Sequence, residues 1–195
     1  MKPWLSKHFS KLWLALVFLF LYLPLLFMVV FSFNSTRQDA RFTGFSLRWY
    51  EALMRDDRIV EGFFTSLKVA AITGVLSAVL ATFAAFVLVR YRRFLGRTIF
   101  SGMVNAPLVM PEVIIGLSLL LLAVGAQNAF GWPERGLLTI ILGHTLLGMA
   151  YGMVVIQSRL LEMDRSIEEA AMDLGARPHQ VFFLITLPNI FQAIL

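Results

Sequence analysis

Along most of this chain apolar residues come in long unbroken blocks rather than alternating with polar ones. The first block runs from Leu12 to Phe33 without a charge. A second spans Ser66 to Val89, with Lys68 near its start, where a long side chain can snorkel toward an interface. A third spans Ile99 to Val124 and contains Pro107, Pro111 and Glu112; a fourth spans Leu137 to Ile156, with His144 inside it. A fifth starts at Asn189, six residues before Leu195. About 20 apolar residues in a helix cross the hydrocarbon core of a bilayer, so the pattern predicts an all-α, polytopic transmembrane helix bundle. The first block is longer than the apolar core of a signal peptide and ends in Phe31-Ser32-Phe33-Asn34 rather than a small-residue cleavage site, so it reads as an uncleaved anchor.

Composition agrees with this reading. Of 195 residues 58% are hydrophobic and 15% charged, whereas a soluble domain carries about 25% charged residues. Cysteine is absent, which excludes a disulfide frame, a thiolate zinc site and a Cys nucleophile. The net charge of +5 is read as orientation of a membrane protein rather than affinity for nucleic acid. The first eleven residues hold three Lys and no acid, and Arg90, Arg92, Arg93 and Arg97 follow the second block. Both segments are expected in the cytoplasm, with 1–11 as a cytoplasmic N-terminal tail and 12–195 as the transmembrane domain. The neutral segment from Asn34 to Thr65 and the short loop from Gly125 to Gly136 are then external. Strict alternation places Gln157 to Pro188 inside, although its three Arg against five acids would not do so alone. In the Asn34–Thr65 segment, Phe45, Leu47, Trp49, Tyr50, Leu53 and Met54 fit either an interfacial helix or a plain connecting loop.

Nucleotide, metal and nucleophile signatures are missing. There is no G-x-x-x-x-G-K-[ST] loop and no H-E-x-x-H. His8, His144 and His179 lie in separate segments, which disfavours a shared metal site, and no cofactor is expected. His144 reads as a helix–helix hydrogen bonder.

The informative stretch is Asp164 to Pro188. Ser166 with Glu169 three residues on gives a capping-box pattern, and Glu168 and Glu169 suit the positive end of a helix. Ile167, Ala170, Ala171 and Leu174 then form one face, Gly175 falls where a left-handed residue ends a helix, and Pro178 follows. A helix of two turns is not stable alone in water, so it must dock. Its apolar face and the acidic rim of Glu168, Glu169 and Asp173 suit a basic partner; an ordinary connector folded under its own bundle fits the same periodicity.

Glu169-Ala170-Ala171, then Gly175, then Ile185-x-Leu187-Pro188 resembles the EAA loop of membrane permease subunits of binding-protein-dependent ABC importers. Leu47-Arg48-Trp49-Tyr50-Glu51, Ala106-Pro107-Leu108-Val109-Met110-Pro111, and Tyr22-Leu23-Pro24 leading to Ser32-Phe33-Asn34 resemble the polyamine branch, which carries putrescine and spermidine. The resemblance implies a type I importer permease fold, a bacterial inner-membrane location and a non-catalytic transport role. It implies three partners: a cytoplasmic ABC ATPase dimer, a second permease subunit in a heterodimer, and a periplasmic or extracellular solute-binding protein. The ATPase would be engaged through an EAA loop at 164–188. Such permeases have two further helices after that loop, so the chain is expected to be truncated in or before its fifth span.

Glu112 is an acid about halfway along the third block. Pro107 and Pro111 would loosen the helix around it and free carbonyls. Such a site suits a passing ammonium group; the alternatives are pairing with a basic residue of a neighbouring helix and a polar pocket near the cytoplasmic side. Rival readings are a similar permease for sulfate, phosphate, ferric iron or thiamine, an ion-coupled secondary carrier, and a membrane scaffold or sensor.

Overall fold

The computed structural model describes residues 3–36, 41–91 and 93–194. Lys2, Arg92 and Leu195, invoked above, lie outside them. Among the described residues the structure is helical: α1 (Pro3–Ser32), α2 (Arg48–Arg55), α3 (Asp57–Arg90), α4 (Arg97–Val109), α5 (Glu112–Phe130), α6 (Leu137–Glu162), α7 (Arg165–Asp173), α8 (Pro178–Val181) and α9 (Leu187–Ile194), with a π turn at Phe182–Thr186. Four are long and apolar enough to cross a membrane: α1 from Phe9, α3, α5 and α6. The chain divides into two compact units, 1–64 and 65–195.

In the first unit α1 ends at a small polar knot around Asn34, which is 2% exposed. The Asn34 side-chain amide donates to Arg41 O at 2.9 Å, and its oxygen accepts from Thr43 N and Oγ1, both at 2.8 Å. A buried amide satisfied in this way fixes the chain's exit from the helix. The segment that follows is a short helix, α2, where interfacial helix and loop were both open. Trp49 and Tyr50 tether it by their polar tips, Nε1 to Asn34 O at 3.0 Å and the hydroxyl to Ser32 Oγ at 2.7 Å. Their rings face an open groove of about 620 Å³ with Phe31 and Leu53.

In the second unit α3 and α6 pack closely because small side chains meet. A Cβ on Gly148 would lie 2.5 Å from Ser77 Oγ, and one on Gly152 would lie 3.2 Å from Ala81 Cβ. Ser77 Oγ donates to Thr145 O at 3.2 Å across the seam. Small residues four apart on both helices permit this approach where lipid supplies no hydrophobic drive between helices. Ala85, Leu88, Met153, Ile156, Leu160 and Ile190 continue the core toward the C-terminal ends of α3 and α6.

Three expectations change here. The third block is not one span: α4 stops at Val109 and α5 starts at Glu112. Pro111 is the cause, since it disfavours helical geometry at Met110, which is extended at φ −84° and ψ 141°. Glu112 therefore opens the 19-residue α5 rather than interrupting a helix. At 1.5 Å per residue α5 measures about 28 Å, enough to cross the hydrocarbon core. Second, His144 Nδ1 lies 2.9 Å from Ile140 O of its own helix, so this contact does not join two helices. Third, the fifth block does not begin a new helix at Asn189: helical structure runs unbroken from Pro178 through Ile194. It carries the π turn because Pro188 has no N–H for Leu184 O and its ring crowds that carbonyl; Leu187 N bonds five residues back to Phe182 O.

Candidate functional site

α7 is a nine-residue helix whose two ends are both closed locally. Asp164, not Ser166, is the cap: its carboxylate accepts from Ser166 N at 2.9 Å. The Ser166 backbone N–H, and then its hydroxyl, hold the Asp164 carboxyl below the usual aspartate range. Asp wins the cap because its position sets the first turn and its charge meets the helix's positive end. At the other end Gly175 has φ +93°, as its place in the sequence predicted. Gly175 N donates to Met172 O at 2.9 Å and Ala176 N to Ala171 O at 3.0 Å, which is the Schellman arrangement.

The apolar face of the helix does not pack under its own bundle. Of the two readings left open, the structure takes the outward one: Ile167 is 47% exposed, Leu174 is 90% exposed and Ala170 is exposed, with only Ala171 half-buried. The residue turned inward is Glu168, 7% exposed. Its Oε1 accepts from Arg90 Nη2 at 3.0 Å and from the Thr186 hydroxyl at 2.6 Å. Arg90 Nε lies 2.8 Å from Oε2, an ion-pair contact rather than an aligned hydrogen bond. Arg90 Nη1 also donates to Leu160 O at 3.4 Å. One buried guanidinium thus joins the last residue of α3, the final turns of α6, the first turn of α7 and, through Glu168, the π turn.

The predicted coupling residues fall into two sets. Glu169, Ala170, Asp173 and Gly175 are exposed on α7 and its end, and Glu169 and Asp173 lie four residues apart along one side. Glu168 leaves the acidic rim for the interior, because a partner at Arg90 outweighs solvation at the surface. Ile185 and Leu187 are half-buried and Pro188 is exposed on the rod that follows. Elsewhere, Pro107 is buried within α4, and Pro111 and Glu112 are exposed at the α4–α5 break. Glu112 shares a groove of about 270 Å³ between α5 and α6 with Thr139, Gly143, His144 and Leu147.

Residues 77–195 match the family model for the binding-protein-dependent transport system inner membrane component. The chain belongs to this family. Among curated relatives of this inner membrane component, the putrescine transport system permease protein PotI of Escherichia coli is 55% identical over 171 residues. That alignment covers 87% of this chain and 61% of the relative. The spermidine/putrescine transport system permease protein PotC of Escherichia coli is 30% identical over 171 residues, 87% of this chain and 62% of the relative. The chain therefore spans about three fifths of the curated relatives it matches. Among solved structures, a bacterial alginate ABC transporter in complex with an alginate pentasaccharide-bound periplasmic protein gives a TM-score of 0.71. Identity is 15%, with 99% of this chain and 69% of that chain covered. A second structure, of a bacterial ABC transporter involved in importing alginate, gives 0.73 at 15% identity, covering 99% and 70%. These likenesses are of fold: the helical arrangement is shared with a chain in each of the two ABC transporter structures.

Arg90 and Thr186 were not among the residues singled out from sequence. Arg90 was counted with Arg92, Arg93 and Arg97 as a loop charge. What separated it was its position directly after the uninterrupted apolar run ending at Val89, one residue still inside the helix. Gly148 and Gly152, four apart in an apolar helix, also went unremarked, although their spacing is a helix-contact signature.

Proposed function

We propose that this chain is part of a permease subunit that moves polyamines, putrescine first among them, into the bacterial cytoplasm at the expense of ATP hydrolysed by another protein. α7 is the helix that docks on a cytoplasmic ABC ATPase dimer. A second permease subunit completes the pathway, and a periplasmic or extracellular solute-binding protein delivers the cargo. The N-terminus, the 90–97 turn and α7 face the cytoplasm. The reading of cargo is supported by the names of the relatives at 55% and 30% identity.

The observation that carries the docking role is the exposed apolar stripe on α7. Ile167, Ala170 and Leu174 stand out from a helix that is capped at both ends and pinned by a buried ion pair, so it presents a formed surface at little ordering cost. Glu169 and Asp173 flank it with negative charge for a basic partner. In the full-length protein, Leu174→Glu would place a charge into the docked stripe without disturbing the fold, since Leu174 touches solvent. Capture of the ATPase by the purified permease pair should weaken about tenfold or more. Undiminished capture would remove α7 from the docking surface. Orientation is checked by single cysteines, which the chain otherwise lacks: one at Ser46 should label from outside intact cells and one at Arg93 should not.

In the path itself, Glu112 is a transient partner for a substrate ammonium, set at a break where irregular backbone lines a groove. Glu112→Gln keeps the shape and removes the charge. It should slow putrescine uptake while assembly persists; loss of assembly instead would assign Glu112 to a pairing with another helix.

A further inference from the structure

Glu168 has three short polar contacts, and none of them is on its own helix. Its main partner, Arg90, is 78 residues away and equally buried, with both side chains 9% exposed. Arg90 is the last residue of α3. Its fork is divided: one arm faces the carboxylate of α7, the other the carbonyl of Leu160, two residues before the end of α6. The arrangement also suits both helix ends, a cation at the C-terminus of α3 and an anion in the first turn of α7. The remaining contact surface of α7 is small, since its apolar stripe is outward. α7 packs mainly on α8 and the π turn, and this pair is the polar contact by which it reaches α3 directly. A planar guanidinium can hold two acceptors in different directions at once; an ammonium of similar reach is a point charge and cannot.

We infer that Arg90 is a positioning residue for energy coupling: through its divided contact with Glu168 and Leu160 O, displacement of α7 moves α3 and α6 together. This rests on reading α7 as the ATPase-docking helix. Two variants test it in the full-length permease, assembled with its ATPase and second membrane subunit in proteoliposomes. Arg90→Lys keeps the charge and loses the fork. Arg90→Gln with Glu168→Gln removes both charges and leaves no buried ion alone. The quantity read is uptake of labelled putrescine per ATP hydrolysed, at matched amounts of assembled complex. ATP hydrolysis should persist in both variants while the ratio falls about fivefold or more. A pair that is only structural would lower the amount of complex and leave the ratio unchanged. That result, or loss of the complex in both variants, overturns the inference.

If the wild-type assembly neither captures nor stimulates an ATPase, the docking reading has failed. The pair is then judged on the permease alone. Spin labels on cysteines at Val79 and Asp173 report the α3–α7 distance. A single narrow distribution that broadens in Arg90→Lys upholds the mechanical link, and an unchanged distribution overturns it.

Discussion

The seam between α3 and α6 is closed in two ways along its length. At Ser77–Gly148 and Ala81–Gly152 it is closed by the lack of side chains: backbone approaches backbone, and one weakly directed hydroxyl bridges the gap at 3.2 Å. At the ends of the same helices it is closed by charge, Arg90 reaching Leu160 O and Glu168 together. The first device fixes distance between two helices and can do nothing else. The second has reach, so it brings a third and a fourth element, α7 and the π turn, into the same contact. Its cost is exposure to failure: a buried ion with one partner removed is worse than no ion at all.

The largest effect should come from breaking the ionic end. Glu168→Ala leaves the Arg90 charge in the interior with one long carbonyl contact and should destabilise the protein by about 3–5 kcal/mol in detergent unfolding. Arg90→Leu with Glu168→Leu should recover most of that loss, because two apolar side chains replace a desolvated pair. If the double variant is as unstable as Glu168→Ala, packing and not charge holds this end. At the small-residue end, Gly148→Val should cost about 1–3 kcal/mol, since its Cβ meets Ser77 Oγ and forces the helices apart. Adding Ser77→Gly should relieve part of this, a coupling that thermal unfolding of the single and double variants would read. Smaller again is Gly175→Ala, where a Cβ at φ +93° has open space but strained backbone, costing about 1–2 kcal/mol.

These two seams differ in how far the sequence reveals them. Runs of apolar residues located α1, α3 and α6, because crossing a bilayer demands a composition that no other element needs. The helices run past those runs, α3 from Asp57 rather than Ser66 and α6 to Glu162 rather than Ile156, since helical hydrogen bonds do not stop where hydrophobicity does. The turn at Gly175 was legible because positive φ selects glycine. The family loop was legible as a spacing of residue types. The break at Pro111 was only half legible: a proline's missing donor was visible, but the apolar count ran straight through it. The outward apolar stripe of α7 fits the docking alternative that its periodicity left open, but the burial of Glu168 was not legible. Periodicity could place Glu168 only on an acidic rim, and a buried cation from 78 residues away turns it inward. A local pattern holds no record of such a partner.

The smallest effect concerns the mounting of α7 at the ionic end, and it is a matter of pH. Asp164 caps the helix through Ser166 N at 2.9 Å, and this bond, with the Ser166 hydroxyl, depresses its pKa in the folded state. A carboxyl with a folded pKa below its unfolded one contributes stability above the unfolded value and loses it as pH falls through the folded value. The contribution is therefore fully present at neutral pH and disappears only below the ordinary aspartate range. Because Asp164 is exposed, salt screens the charge, and the effect stays local to the first turn of α7. Relative to its intrinsic rate at each pH, the Ser166 amide should lose protection on acidification through that window, while protection in α6 does not change. Asp164→Asn keeps a capping oxygen without the charge and should remove the pH dependence while leaving the turn protected. A loss of protection in acid that survives in Asp164→Asn would show that the Asp164 carboxylate is not what holds the first turn of α7.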